Sequence, residues 1–401
     1  MYVLKYQKKG ATLSRFPFCC VQERMDNNEI ILHLSLIDGV GQGTIDSLIT
    51  HKPWDLELHD LYHMTISEIT RLFSITLAKA EAIAKGLADR ELLDHELELI
   101  HRYKINWMTF YHDNYPILLK NIHLAPTIVY WQGALPADGS KSIAIIGSRN
   151  INYYGISVIE SFVPTLVAQG WTVVSGGAVG ADAAAHRVTV DSGGHTIAIL
   201  GSGLLNVYPV SNKRLFADIV DAGGTLMSTF RLTTAPAAGN FPARNRIIAG
   251  MSRGCLVVQA GRQSGTRITA HYALEQGREL FAVPGPIDEQ LCAGCHELIQ
   301  QGAKLVTSVA DILVELGHSA HEFQTTPKKV SKPEACAAQA TIPFKAVGNS
   351  AVILRCCTQS CSLDELAQQT GLAMSDLYAQ LFELELSGLI KQHANGMWQR
   401  N

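Results

Sequence analysis

Six short apolar runs of strand length, at 142–146, 171–174, 196–200, 225–227, 255–259 and 280–283, alternate with segments of helical length and pattern. This alternation limits the possible folds more than any other feature of the chain. Short runs that are apolar on both faces suit strands buried between two layers of helices, and parallel neighbours need a crossover that a helix supplies. The fold class is therefore α/β, with an extended Rossmann-like domain on a parallel, doubly wound sheet. This domain is expected over 141–317.

At roughly 150 residues per domain, 401 residues leave room for one or two further units. Residues 26–95 read as a small helical domain, with amphipathic runs at 67–73 and 79–94 and no alternating strand pattern. Residues 96–140 read as a connector, broken at Tyr115-Pro116 and Ala125-Pro126. Pro327, Pro333 and Pro343, with Lys328, Lys329, Lys332 and Lys345, mark 318–348 as a linker. In 349–401, a helix at 363–369, a turn at Gly371 and a helix at 375–386 form a helix-turn-helix, with Leu377, Leu381 and Leu384 on one face of the second helix. A hairpin at 391–400, turning at Asn395-Gly396, completes a winged-helix pattern. Residues 1–25 read as an extension outside any domain, with Met25 an alternative start that N-terminal mass spectrometry would detect.

The net charge of −3 argues at first against a nucleic-acid ligand. Its distribution reverses that. Residues 141–267 hold eleven basic and five acidic side chains, a net +6, which leaves −9 for the rest. Most of the basic residues are arginines, suited to bidentate phosphate contacts, although a solvated basic face has the same composition. The winged helix is acidic instead. Its presumptive recognition helix at 375–386 carries Asp376, Glu383 and Glu385 and no Lys or Arg, so a phosphate backbone would repel it. A protein partner, or the chain itself, is the expected contact.

Several motifs fall at strand ends and helix starts, where a doubly wound sheet forms its ligand crevice. Gly147-Ser148-Arg149 ends the first run and offers close backbone approach, a hydroxyl and a guanidinium. Ser175-Gly176-Gly177-Ala178-Val179-Gly180 ends the second and exposes amides at a helix start, an arrangement that binds anions and also makes a tight turn. Phe241-Pro242-Ala243-Arg244-Asn245-Arg246 opens a helix with two arginines flanking an asparagine in its first turn, against the helix dipole, a conflict that an anionic ligand would remove. Ser264-Gly265-Thr266 precedes another helix, where, taken alone, ordinary N-capping is the better account. Near the N-terminus, Gly39-Val40-Gly41 between helical runs resembles a helix-hairpin-helix turn, but with Asp38 beside it and few basic residues following, a structural role suits it better than phosphate binding.

Other matches fail on context. Gly-x-Gly-x-x-Gly is incomplete at 176–180 and at 201–206, and no Gly-Lys dipeptide exists, which excludes a P-loop NTPase. Gly250-Met251-Ser252-Arg253-Gly254 has the nucleophile-elbow spacing but lies between a helix and a strand, the reverse of the order an elbow needs. Cys292-Ala293-Gly294-Cys295-His296 has haem-attachment spacing without an export signal, and a lone Cys pair with one His is thin for zinc. No metal, cofactor or catalytic residue is expected. The nine cysteines are unevenly spread, and no apolar stretch approaches the ~18 residues of a membrane span, so a reducing cytoplasm is the expected compartment.

Together these residues resemble the DNA-processing protein A family (DprA, also called Smf). The carriers are Gly147-Ser148-Arg149, the run from Ser175 to Asp182 with 183–186, Tyr208-Pro209 and Asn212, and Phe241-Pro242-x-Arg244-Asn245-Arg246 continuing to Gly250. Ser264-Gly265-Thr266, Phe281-Ala282-Val283-Pro284-Gly285, Leu298-Ile299 and Gly302-Ala303 follow in order. The resemblance implies a sterile-alpha-motif-like helical domain, a Rossmann domain that dimerises, and a winged helix of the DprA type. It implies a non-enzymatic mediator that binds and protects incoming single-stranded DNA during natural transformation and helps load the RecA recombinase. Carried over by position, Gly147, Ser148, Arg149, Arg244, Asn245 and Arg246 form the DNA pocket, completed by Ser175, Gly176, Asn212 and Lys213. Ser264 and Thr266 join them, with Phe216 and Phe241 as stacking rings. Gly177 and Val179 depart from the family, which has a bulky aliphatic and a basic residue there. Thr229 and Gln259 stand where acids are common, and the loop at 294–296 also differs.

Two rivals stand beside this reading. A nucleotide phosphoribohydrolase could use the same sheet and glycine loops, but the crevice motifs contain one acid, Asp182, rather than a pair. A protein-docking scaffold would suit the acidic winged helix.

Overall fold

The structure, a computed structural model, describes residues 26–136, 139–262, 264–317, 349–357, 361–386, 389–392 and 398–400. The chain divides into two compact units, Met1–Gln324 and Thr325–Asn401. The extension before Asp26, the linker and the Asn395-Gly396 turn lie outside the described residues.

The first unit opens with helices α1 (Asn27–Ser35) and α2 (Gln42–Thr50), a 3₁₀ turn at Leu58–Tyr62, then α3 (Ile66–Phe73), α4 (Leu77–Ala88) and α5 (Glu91–Arg102). Thr65 and Glu68 form a capping box on α3, each side chain accepting the other's backbone N–H. The run read as one helix over 79–94 breaks at Asp89-Arg90. There the Asp89 carbonyl bonds to Nε2 of buried His33, and its carboxylate accepts the Glu91 N–H.

Residues 96–140 are more than a connector. After α5 they supply β1 (Asn106–Thr109), α6 (Ile117–Lys120) and β2 (Ile128–Gly133), with β1 antiparallel to β2. The Rossmann block follows as β3 (Ser142–Ile146), α7 (Tyr153–Ala168), β4 (Thr172–Ser175), α8 (Ala181–Asp191), β5 (Thr196–Ile199), α9 (Lys213–Asp221) and β6 (Thr225–Ser228). It continues with α10 (Asn240–Gly250), β7 (Gly254–Val257), α11 (Thr266–Glu275), β8 (Glu279–Ala282), α12 (Ala293–Gln300), β9 (Lys304–Leu305) and α13 (Val309–Glu315).

The sheet order is β1-β2-β6-β5-β4-β3-β7-β8-β9. Strands β3 to β9 pair in parallel, and β2 adds antiparallel to β6. Alternation along β3 sends Ile143 and Ile145 to the core under α7 and α13, and Ala144 and Ile146 to the core under α10 and α11. From β3 the chain winds first to β4 and later returns to β7 on the other side, so the order reverses between β3 and β7. That reversal opens a crevice at the carboxyl ends of these strands.

The helical segment packs against the sheet domain through named polar ties. Glu96, buried, accepts the Leu232 N–H at 2.9 Å; Arg231 donates to the Leu36 carbonyl and to Asp38 at 2.8 Å. Thr109 donates to Asn28, and Tyr111 to Asp46.

The second unit contains α14 (Asn349–Cys356), α15 (Leu363–Thr370) and α16 (Met374–Leu386), then β10 (Ile390–Gln392) antiparallel to β11 (Trp398–Arg400). Ser362 and Glu365 box the start of α15, and Gly371 ends it in the left-handed region at φ 67°. Leu377, Leu381 and Leu384 are buried with Leu366 and Trp398, while Met374, Tyr378 and Phe382, four residues apart, stand exposed on α16.

Candidate functional site

The turn after β3, the loop from β4 into α8 and the starts of α10 and α11 surround a crevice of about 440 Å³ at the β3/β7 reversal. It is lined by Gly147, Arg149, Phe241, Arg244, Asn245, Ser264 and Thr266, among others. Seven of the sequence-derived site residues are thus brought together from three separate segments.

The floor explains the glycine loop. Asp182, buried at the start of α8, accepts the N–H groups of Gly176 at 3.1 Å and Ala178 at 3.3 Å. Arg244, 6% exposed, lies against the same glycine. A methyl group on Gly176 would sit 1.4 Å from Arg244 Nη1 and 2.7 Å from Asp182 Oδ2, so only glycine lets the guanidinium and carboxylate converge there. Gly180, at φ 83°, turns the chain into α8 against the carbonyls of Ser148 and Arg149, each 2.4 Å from where a Cβ would lie. The Ser148 carbonyl accepts the Ala181 N–H, locking the first loop to the second.

Burial raises the Asp182 carboxyl above its ordinary range, and the Arg244 charge opposes that shift. Burial also lowers the Arg244 guanidinium, with Asp182 acting against it and Arg149 adding repulsion. Arg244 donates to the Ile199 carbonyl at 3.2 Å, while its Nε, fully buried, has no hydrogen-bond partner. Two positive groups therefore meet at one end of the crevice, and the acid beneath them is engaged with the loop.

The mouth has both polar and aromatic character. Arg149 is exposed. Ser264 accepts the Thr266 N–H and donates to the Thr266 hydroxyl, which in turn donates to the Gly147 carbonyl at 3.1 Å. This is capping chemistry that also ties α11 to the Gly147 turn. Phe241 is half-buried with the Arg244 guanidinium 6.0 Å from its ring centre. Tyr208, 45% exposed with its ring 5.7 Å from that of Phe241, adds an aromatic surface beyond the expected contacts, signalled in the sequence by the Tyr208-Pro209 pair.

Several expected contacts lie elsewhere. Phe216 is a correction. It is 2% exposed and packs beneath Gly177, so it belongs to the core and offers no stacking face. Arg246 is another. Its Nη1 donates to the carbonyls of His123 and Leu124, and it faces a second cavity, because residues two apart on a helix point about 200° apart. Ser175 is fully buried and donates to the Ile145 carbonyl; Asn212, also buried, donates to the Gly177 carbonyl and braces the loop. Ser148 accepts the Asn150 N–H, and Lys213 is exposed at the start of α9, outside the crevice lining.

The declined motifs have structural explanations. Ser252 is buried and donates to the Ile248 carbonyl, within the helix-to-strand turn. Cys292 and Cys295 are buried; Gly294 packs on the Ala260 and Gly261 carbonyls, and burial pushes the Cys295 thiol up to about 12. Among the described residues no group of three His, Cys, Asp or Glu side chains could hold a metal, and no helix is long and apolar enough to cross a membrane.

Near the crevice, His186 is fully buried on α8. Thr196 donates to the Val173 carbonyl, so its hydroxyl accepts from His186 Nδ1 at 2.7 Å, which leaves Nε2 unprotonated. Burial, then the Arg244 charge, depresses this histidine from 6.5 to about 3. The native state therefore binds fewer protons than the unfolded one between these values. The contribution is complete above the unfolded pKa and is lost as pH falls toward 3, at up to about 1.4 kcal/mol per pH unit. Urea titrations across this window are expected to give a steeper acid loss of stability for the wild type than for His186→Gln; equal slopes would contradict the assignment.

Comparison with known proteins follows the same outline. Residues 106–317 match the family model for DNA recombination-mediator protein A, and 356–396 match the DprA winged helix domain. Protein Smf of Escherichia coli is 39% identical over 266 residues, covering 66% of this chain and 69% of that protein. The DNA processing protein DprA of Streptococcus pneumoniae is 42% identical over 203 residues, covering 51% and 71%. The X-ray structure of DNA processing protein A from Streptococcus pneumoniae aligns with a TM-score of 0.62 at 33% identity, covering 73% of this chain and 99% of that one.

Proposed function

The chain belongs to the DNA-processing protein A (DprA/Smf) family of recombination mediators, and from that membership we propose that it binds single-stranded DNA in the crevice, protects incoming strands and helps load RecA during natural transformation. The observation that carries this reading is the crevice itself, where Arg149 and Arg244 adjoin the half-buried Phe241 and the helix starts at α8, α10 and α11. Phosphates suit the guanidiniums and amides. Recessed rings suit unstacked bases, which a single strand presents and a duplex does not. The protein works in the cytoplasm, as a homodimer formed through the Rossmann domain.

A phosphoribohydrolase would need carboxylates poised at the substrate. Among the crevice-lining residues Asp182 is the single acid, and it accepts two loop amides from beneath. This supports a binding rather than a catalytic role; release of free base from nucleoside monophosphates would revive the enzyme reading. The winged helix is assigned to a protein partner, since α16 exposes Met374, Tyr378 and Phe382 beside acidic Asp376.

Fluorescence polarisation with a labelled single strand and its duplex, each titrated with salt, tests the function. The single strand is expected to bind more tightly, with a log–log salt slope of about −0.7 for each phosphate neutralised. Adding the protein to RecA and single-stranded DNA is expected to shorten the lag before filament growth. Equal affinity for both DNAs, with no change in the lag, would sink the proposal.

A further inference from the structure

A second cavity, of about 240 Å³, lies on the opposite side of α10 from the crevice. It is bounded by the α1–α2 turn, β2 and the segment after β6, and its polar lining includes Gln42, Thr127, Thr229, Arg231 and Arg246. No Asp or Glu lines it. Arg246 is half-buried, and its charge is met by the carbonyl oxygens of His123 and Leu124. Arg231 bonds to the Leu36 carbonyl and to Asp38, whose side chain is 97% exposed, so water screens the pull of that carboxylate. Gly41 and Gln42, at the uncapped start of α2, also line the cavity.

We propose that this cavity is a second phosphate subsite, which takes a backbone phosphodiester of the same single strand after it leaves the crevice. The two arginines come from separate elements, and no carboxylate shares the lining with them, so an oxyanion in the cavity would meet a positively charged wall. Helix α10 is the ridge between the subsites. Arg244 and Asn245 face the crevice, while Ala243 and Arg246 face the second cavity. The helical segment thereby becomes part of the DNA path, and the Gly39-Val40-Gly41 turn acquires a ligand. The proposal rests on the reading that the crevice holds the strand.

Gln42→Glu separates fold from binding. A carboxylate in the first turn of α2 favours the helix dipole, yet it repels a phosphate in the cavity. Full-length protein is titrated with oligothymidylates of about 5 and about 16 nucleotides, the shorter filling the crevice alone. Gln42→Glu is expected to weaken the longer ligand several-fold and to reduce its salt slope by about 0.7, with the shorter ligand unaffected. Arg246→Gln is expected to give the same pattern. An unchanged slope for the longer ligand in Gln42→Glu, or equal losses on both ligands, would overturn the subsite. If Gln42→Glu abolishes competition by inorganic phosphate but leaves the oligonucleotide slope intact, the occupant is a free anion and the strand path is wrong. The crevice reading fails by a different result, an Arg149→Ala variant that binds the short ligand as well as the wild type.

Discussion

Replacing Arg244 by alanine is expected to destabilise the first unit by about 3–5 kcal/mol, the cost of leaving a buried carboxylate without its countercharge. Asp182 is buried and accepts two backbone N–H groups. Arg244 supplies the positive charge that opposes the upward shift which burial imposes on it. The pH dependence follows from the sign of that shift. A carboxyl whose folded pKa lies above its unfolded value holds its proton more readily in the native state, so stability is lost as pH rises through the folded value. Without Arg244 the carboxyl moves further up. The deficit of Arg244→Ala relative to the wild type is therefore expected to be largest near neutral pH and to shrink on acidification. Urea denaturation at about pH 7 and about pH 5 would measure it. Adding Asp182→Asn is expected to recover part of the loss. A deficit that is the same at both pH values would show that Arg244 acts by packing alone.

Arg149→Ala is expected to do the reverse, with the fold unchanged and binding reduced. The backbone of Arg149 packs against Gly180, but its side chain is exposed at the crevice mouth. Losing one charge-assisted contact to phosphate corresponds to about 1.5–3 kcal/mol, or roughly tenfold or more in affinity. The salt slope is expected to fall by about 0.7 for the phosphate no longer neutralised. Polarisation titrations at several salt concentrations, beside a melting curve, would measure both. Full affinity at every salt concentration would remove Arg149 from the site. The two arginines, far apart in the chain but both lining the crevice, thus have separable roles: one holds the floor and the other meets the ligand.

Much of the fold was legible in the sequence. Strands β3 to β8 fall within two residues of the apolar runs, because burial on both faces leaves a continuous signature. Strands β1 and β2 were not visible. Asn106–Thr109 and Ile128–Gly133 sit among proline-marked turns, and pairing with the distant β6 is what makes β2 part of the sheet. In the crevice, the glycine turns and helix starts were legible because strand ends are where a doubly wound sheet receives ligands. Arg246 and Phe216 were misplaced because motif spacing does not report the direction in which a side chain points from its helix.

The sequence by itself determined the parallel architecture, the winged helix and the concentration of arginine in one block. Only the tertiary structure decided which of those charges meet a partner within the chain. Arg231 is engaged by Asp38, Arg262 and Arg267 share Glu297, Arg246 rests on carbonyls and Arg244 is held beside Asp182, while Arg149 stands exposed at the crevice mouth. The net +6 was never a measure of the site. Periodicity and composition are local and can be read along the chain; burial and charge compensation depend on neighbours that only folding brings together.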